Sequence, residues 1–275
     1  RLRYLKAGSG PPLILLHGLL GYSFSWRFVI PALAPHATVY AIDMLGAGFS
    51  DRCPGLDCSF RGCAERLLKF AQQMGLTSFD LMGTSHGGAV AMTAAAMSQD
   101  RTWPQVNRLI LVDPVNPWSR HGRGLTKFLN GRIASILFRK LMPRATSVHG
   151  KVLRRLYGDV SKIRPGTLEG YSEPFALPGS FEYPLSIIKT WTEDLNALEA
   201  ALPRIAHIPT LMIWGTLDRA VDPASAHTLC RYFHTCEVVE MEGVGHLPYE
   251  EAPEEFSEIV IRFLRSSVGR VNADR

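Results

Sequence analysis

The chain has 275 residues, 46% of them hydrophobic, and a formal net charge of +5. That length suits one α/β domain with an inserted subdomain, or two small domains, and lets the fold bury roughly 75% of the surface of the unfolded chain. No run of 18 or so uncharged apolar residues occurs, which argues against a transmembrane helix.

Read from the start, short apolar runs alternate with helical patterns. Strands are expected at Arg1–Lys6, Pro12–His17 and Thr38–Ile42. Cys63, Ala64, Leu67, Leu68, Ala71 and Met74 then follow the i, i+3/i+4 spacing of an amphipathic helix. A strand at Phe79–Met82 leads into a helix of small residues from Ala89 to Met97, and another strand follows at Val106–Val112. From Pro114 to about Pro203 the pattern is helical with no strong strand, and Leu125, Leu129, Ile133, Ile136 and Leu137 form an apolar stripe. Strands resume at Thr210–Trp214 and Cys236–Met241. A last helix carries Phe256, Ile259, Val260, Phe263 and Leu264 behind Pro253 at a first-turn position. Several strands, such as Leu13-Ile14-Leu15-Leu16, are continuously apolar, as strands buried on both faces are. The pattern predicts an α/β fold with a mostly parallel central sheet flanked by helices. Residues 1–113 and 204–275 would form the core, and 114–203 an inserted helical lid.

The charge is unevenly placed. Residues 118–165 hold twelve lysines and arginines and a single acid, Asp159. This basic segment has three readings: a solvated helical face, a surface for weak contact with anionic lipid, or an attractor of acidic substrates. Nucleic-acid binding is not expected, because no recognised module accompanies the charge. The five cysteines are odd in number, and Cys53, Cys58 and Cys63 are spaced by five, which suits neither a disulfide framework nor a zinc site. Free thiols are expected, with a Cys53–Cys58 bridge as the alternative. The composition favours a soluble, cytoplasmic protein; because the chain begins at Arg1, an upstream signal segment is left open.

Gly83-Thr84-Ser85-His86-Gly87 is a G-x-S-x-G pentapeptide between a strand pattern and a helix pattern. That context makes Ser85 a nucleophile candidate on a sharp turn, with the His86 N–H aimed at the same point. A serine hydroxyl needs a base, usually a histidine held by a buried carboxylate. Two later strands run into loops carrying Asp218 and His246, in the order Ser, Asp, His. Asp222, before Pro223, reads as a helix cap.

With His17-Gly18 after an early strand, these motifs make the chain resemble the α/β-hydrolase fold family over essentially its whole length, the segment 114–203 being the least typical. The resemblance implies a catalytic triad of Ser85, His246 and Asp218, with Asp113, where some members place the acid, as the alternative. It implies an oxyanion hole from the backbone N–H groups of Leu19 and His86, each worth ~10²–10³ in turnover. His17 would brace the oxyanion loop, the His86 side chain would line the pocket, and the Asp43 loop would be structural. Epoxide hydrolases and haloalkane dehalogenases of this fold use an aspartate at the elbow, so Ser85 disfavours those reactions. The implied activity is a cofactor-independent, metal-independent serine hydrolase, by default a carboxylesterase taking a small-molecule ester of small or medium acyl length. A C–C bond hydrolase of ring-cleavage products and a non-catalytic receptor are the alternatives.

Overall fold

The computed structural model describes residues 1–119 and 146–266. The strands are β1 Tyr4–Ala7, β2 Pro12–Leu16, β3 Thr38–Ile42, β4 Ser78–Thr84, β5 Gln105–Val112, β6 Thr210–Gly215 and β7 Cys236–Met241. They form one seven-stranded sheet in the order β1-β3-β2-β4-β5-β6-β7. β1 pairs antiparallel with β3, and the other pairs are parallel. The described α-helices are α1 Ile30–Leu33, α2 Phe60–Gln73, α3 His86–Ser98, α4 Thr146–Leu156, α5 Thr167–Ser172, α6 Glu182–Ala201, α7 Ser225–Cys230, α8 Pro248–Glu251 and α9 Pro253–Arg265.

Strand side chains alternate between faces, so a continuous apolar run requires cover on both. Leu13, Leu15, Met82, Ile110 and Ile213 point to one face, where Leu33 of α1 and Phe256 and Val260 of α9 cover them. Ile14, Leu16, Leu81, Leu109, Leu111 and Trp214 point to the other, under Leu67 and Leu68 of α2, the alanines of α3, and Ile187 and Trp191 of α6. Each fully buried Leu or Ile of this sheet contributes roughly 1.5–3 kcal/mol, as an upper figure.

The helices follow from local chemistry. α2 starts three residues before Cys63 because the Ser59 hydroxyl accepts a hydrogen bond from the Gly62 N–H at 3.1 Å and caps the first turn. In α3, Ala89, Ala91, Ala94 and Ala95 are all fully buried, and a helix apolar on every side belongs inside the fold. α9 carries Glu254 and Glu255 in its first turn and Arg262 and Arg265 in its last, each matched to the helix dipole. Buried Arg108 of β5 fastens that helix end: it donates to Phe263 O and Leu264 O and makes a bidentate pair with Asp80 of β4 at 3.0 and 2.6 Å.

Between β5 and β6 the described residues contain helices and no strand. The apolar stripe from Leu125 to Leu137 and the basic residues from Arg120 to Arg144 lie outside the described residues. The expectation of free thiols throughout fails at one place. Cys230, at the end of α7, is bonded to Cys236, at the start of β7, with their Cα atoms 5.8 Å apart. A short reversal from helix to strand brings the two ends together, a proximity that counting cysteines does not reveal. Cys53, Cys58 and Cys63 are free, so the alternative Cys53–Cys58 bridge is absent.

Candidate active site

In a mostly parallel sheet the carboxyl ends of neighbouring strands share one edge, where the loops that follow them meet. Ser85 follows β4, Asp113 follows β5, Asp218 lies in the loop after β6 and His246 in the loop after β7. Three non-glycine residues among those described have left-handed backbone, and all belong to this edge: Leu20 (φ 65°), Ser85 (φ 52°) and Asp113 (φ 44°). Such conformations cost of order 1–3 kcal/mol each and cluster at functional sites.

The elbow at Ser85 depends on its glycines. A Cβ at Gly83 would stand 2.3 Å from Gly87 O, and one at Gly87 would stand 2.4 Å from His17 O. With both absent, β4 passes directly into α3, and the Ser85 N–H still completes the sheet ladder to Val112 O at 2.9 Å. The strand therefore runs two residues further than its apolar pattern suggests, up to the serine itself. The neighbouring loop lies close, since a Cβ at Gly18 would be 3.7 Å from Ser85 Oγ.

That loop is held by His17, which is fully buried. The Met44 N–H donates to His17 Nε2 at 3.0 Å, so the proton sits on Nδ1, which donates to Gly18 O at 2.8 Å. Burial lowers the His17 pKa and favours this neutral form. Asp43 is likewise structural, accepting from Ser23 N–H, Phe49 N–H and Arg3. Among the described residues, no protein acceptor takes the backbone N–H of Leu19 or of His86.

The candidate acid and the candidate base are joined directly. His246 Nδ1 donates to Asp218 Oδ2 at 2.7 Å, and both side chains are buried. The other carboxylate oxygen of Asp218 accepts from Ala220 N–H at 2.6 Å and Val221 N–H at 3.1 Å. This bond leaves His246 Nε2 as the nitrogen free to exchange a proton. The hydrogen bonds of His246 go to Asp218 and, through its backbone N–H, to Leu156 O at 2.7 Å; none goes to Ser85. Catalytic contacts of this kind often tighten only when substrate binds. Asp222 accepts from Ala224 N–H just ahead of α7, as a cap does. Asp113 is fully buried and accepts from Gly215 N–H at 3.0 Å. An Asp113 oxygen, an Asp218 oxygen and a His246 ring nitrogen all lie within 4.8 Å of one another. Within this cluster Asp218 and His246 are joined by their hydrogen bond, and Asp113 lies beside them.

Sequence reasoning missed Glu251. This buried carboxylate accepts from Gly245 N–H at 2.8 Å, and from Gly158 and Asp159 N–H at 3.0 and 3.1 Å. It pins the residue before His246 to the segment that follows α4. Next to it, Glu250 takes a bidentate Arg27 at 2.5 and 2.7 Å together with the hydroxyls of Tyr171 and Tyr157. The only sequence signal for either was a pair of acids between two helix-starting prolines. A cavity of about 600 Å³ opens nearby, lined by Arg52, Cys53, Leu56, Tyr183, Ser186 and Lys189 among others. None of Ser85, Asp218 and His246 lines it; Tyr183 borders it, and its ring centroid lies 6.2 Å from that of His86.

Comparison with known proteins bears on the fold and the family. An uncharacterized protein of Mycobacterium tuberculosis is 30% identical over 281 aligned residues, covering 96% of this chain and 78% of that protein. The monoacylglycerol lipase abhd6-A of Xenopus laevis is 26% identical, with 95% of this chain and 77% of the lipase aligned. The crystal structure of a membrane phospholipase A, a bacterial virulence factor, superposes with a TM-score of 0.75 at 28% identity, over 96% of this chain and 82% of that one. The sequence pattern of the alpha/beta hydrolase fold matches residues 11–253, and the chain belongs to that family.

Proposed function

We propose that the protein is a serine hydrolase that cleaves small or medium acyl esters through an acyl-serine intermediate. The observation that carries this reading is the buried 2.7 Å bond between His246 and Asp218, at the same sheet edge as a strained Ser85. The similarity to a lipase and a phospholipase supports acyl esters as the substrate class. In the first step Ser85 Oγ attacks the acyl carbonyl carbon while its proton passes to His246 Nε2. Asp218 fixes the tautomer and stabilises the imidazolium. The carbonyl electron pair moves onto oxygen, where the Leu19 and His86 N–H groups hold the oxyanion. It then returns, the acyl C–O bond breaks, and the His246 proton goes to the leaving alkoxide. Water repeats the sequence: it gives a proton to His246, adds to the acyl carbon, and releases the acid as Ser85 recovers its proton. No cofactor enters these steps. Residues 114–203 act as the lid, and the hydrogen bond from His246 N–H to Leu156 O supports that role.

Turnover of p-nitrophenyl butyrate tests the reading. Ser85→Ala should lose on the order of 10⁴- to 10⁶-fold in kcat while keeping the wild-type circular dichroism spectrum. Near-normal turnover in that variant eliminates the mechanism.

A further inference from the structure

Asp113 is a buried carboxyl group that the reaction above does not use. It is fully buried, its backbone is held at φ 44°, and one oxygen accepts a single hydrogen bond, from Gly215 N–H. The other oxygen, Oδ2, receives no hydrogen bond. It faces the wrong kind of neighbour for an ionised group, because a carboxylate oxygen of Asp218 lies within 4.8 Å of an Asp113 oxygen.

Two carboxylates this close in a buried site cannot both carry charge, and one keeps a proton. The donors decide which. Asp218 receives the Ala220 and Val221 N–H groups and the His246 Nδ1–H. Asp113 receives one. The charged groups that act on Asp113 are Asp218 and Glu251, both acids. Tyr249, also close by, is itself neutral, its hydroxyl pKa pushed up by burial and by Glu250. The remaining neighbour, His246, is bonded to Asp218. A proton on Oδ2 turns an acceptor without a donor into a donor aimed at Asp218.

We propose that Asp113 is a positioning residue which keeps its proton at working pH and donates it as a hydrogen bond to Asp218, so that the two carboxyls together carry one negative charge behind His246. Burial beside Asp218 accordingly raises the Asp113 pKa well above the ordinary carboxylate value. The strained backbone is the local means of holding the carboxyl in place. The shared hydrogen bond draws electron density from Asp218 and so limits how strongly it stabilises the imidazolium. Asp113 thereby sets where the acid limb of the pH profile falls. This role rests on the reading of Ser85, His246 and Asp218 as the reacting set.

Two measurements test it. The first is the pH dependence of kcat/KM for p-nitrophenyl butyrate in Asp113→Asn and Asp113→Ala. Asn has the same neutral charge as the protonated acid and can donate to Asp218; the acid limb should stay in place, with a few-fold lower kcat/KM. Ala donates nothing; its acid limb should move to higher pH, with a larger loss. If Asp113 were ionised, Asn would remove a negative charge near His246, and the acid limb would fall by about one unit or more, which overturns the proposal. Equal losses and equal limbs in the two variants also overturn it, since Asp113 would then only fill space. The second measurement needs neither turnover nor a variant. In wild-type protein labelled with ¹³C-carboxyl aspartate, at least one aspartate carboxyl should still give the signal of a neutral acid at neutral pH, well above the ordinary carboxylate range. In folded Asp113→Asn that signal should be missing. A wild-type spectrum with every aspartate ionised overturns the proposal. The carboxyl signal is independent of Ser85, so full turnover in Ser85→Ala would defeat the hydrolase reading without touching it.

Discussion

His86 stands one residue after the candidate nucleophile, fully buried, with neither ring nitrogen hydrogen-bonded. Its ring packs between Phe60 and Tyr183, as expected of a side chain turned away from an elbow serine. Burial, aided by the nearby His17, pushes its pKa from 6.5 down to about 3. The sign of the consequence is fixed: below pH 6.5 the unfolded chain takes up a proton that the folded one refuses, so stability falls as pH drops and levels off near 3. At about pH 4.5 the loss from this one group is on the order of 2–3 kcal/mol. His86→Leu retains the backbone N–H and removes the titrating ring. Urea unfolding at about pH 7 and 4.5 should show a smaller acid loss in the variant than in the wild type. Equal losses would show that His86 is not held neutral. Asp113, with its raised pKa, acts in the opposite sense, and comparing the two proteins cancels its effect.

At the scale of elements, the His246 loop is not a free loop after β7. Glu251 of α8 ties Gly245 to Gly158 and Asp159, and Leu156 O takes the His246 N–H. The residues that follow α4 and the His246 loop thus share one anchor. Gly158 is required there, since a Cβ would lie 2.6 Å from Gly243 O. Removing the carboxylate in Glu251→Ala strands the buried Gly245 N–H and the partly buried Gly158 and Asp159 N–H groups. The expected cost is about 2–4 kcal/mol, with kcat/KM reduced as His246 loses its fixed position. Thermal unfolding and steady-state turnover measure both, and wild-type values for the two would show that the anchor does not position the base. This anchor was not legible in the sequence: Glu251 lies 93 positions from Gly158, and no local pattern links the two. The strands were legible because burial on both faces writes itself as an unbroken apolar run. Their ends were less so: β4 continues through Gly83 and Thr84, residues that carry no apolar signal.

Across the whole molecule, local chemistry and chain order carried most of what could be read. Ser85 was marked by its glycines, and Asp218 and His246 by their places after late strands, because a parallel sheet brings successive strand ends to one edge. Interactions between residues distant in sequence escaped. The closeness of Asp113 to Asp218 spans two strand ends and was visible only as a choice between two acids. The Cys230–Cys236 bond depends on how α7 reverses into β7. Covalent labelling reads the reactivity of Ser85 without any assumption about the substrate. Treatment with a fluorophosphonate probe should add one adduct, mapped by peptide mass spectrometry to Ser85, absent in Ser85→Ala and formed far more slowly in His246→Ala. A folded protein that does not react, or one whose adduct lies on another residue and persists in Ser85→Ala, would contradict the account.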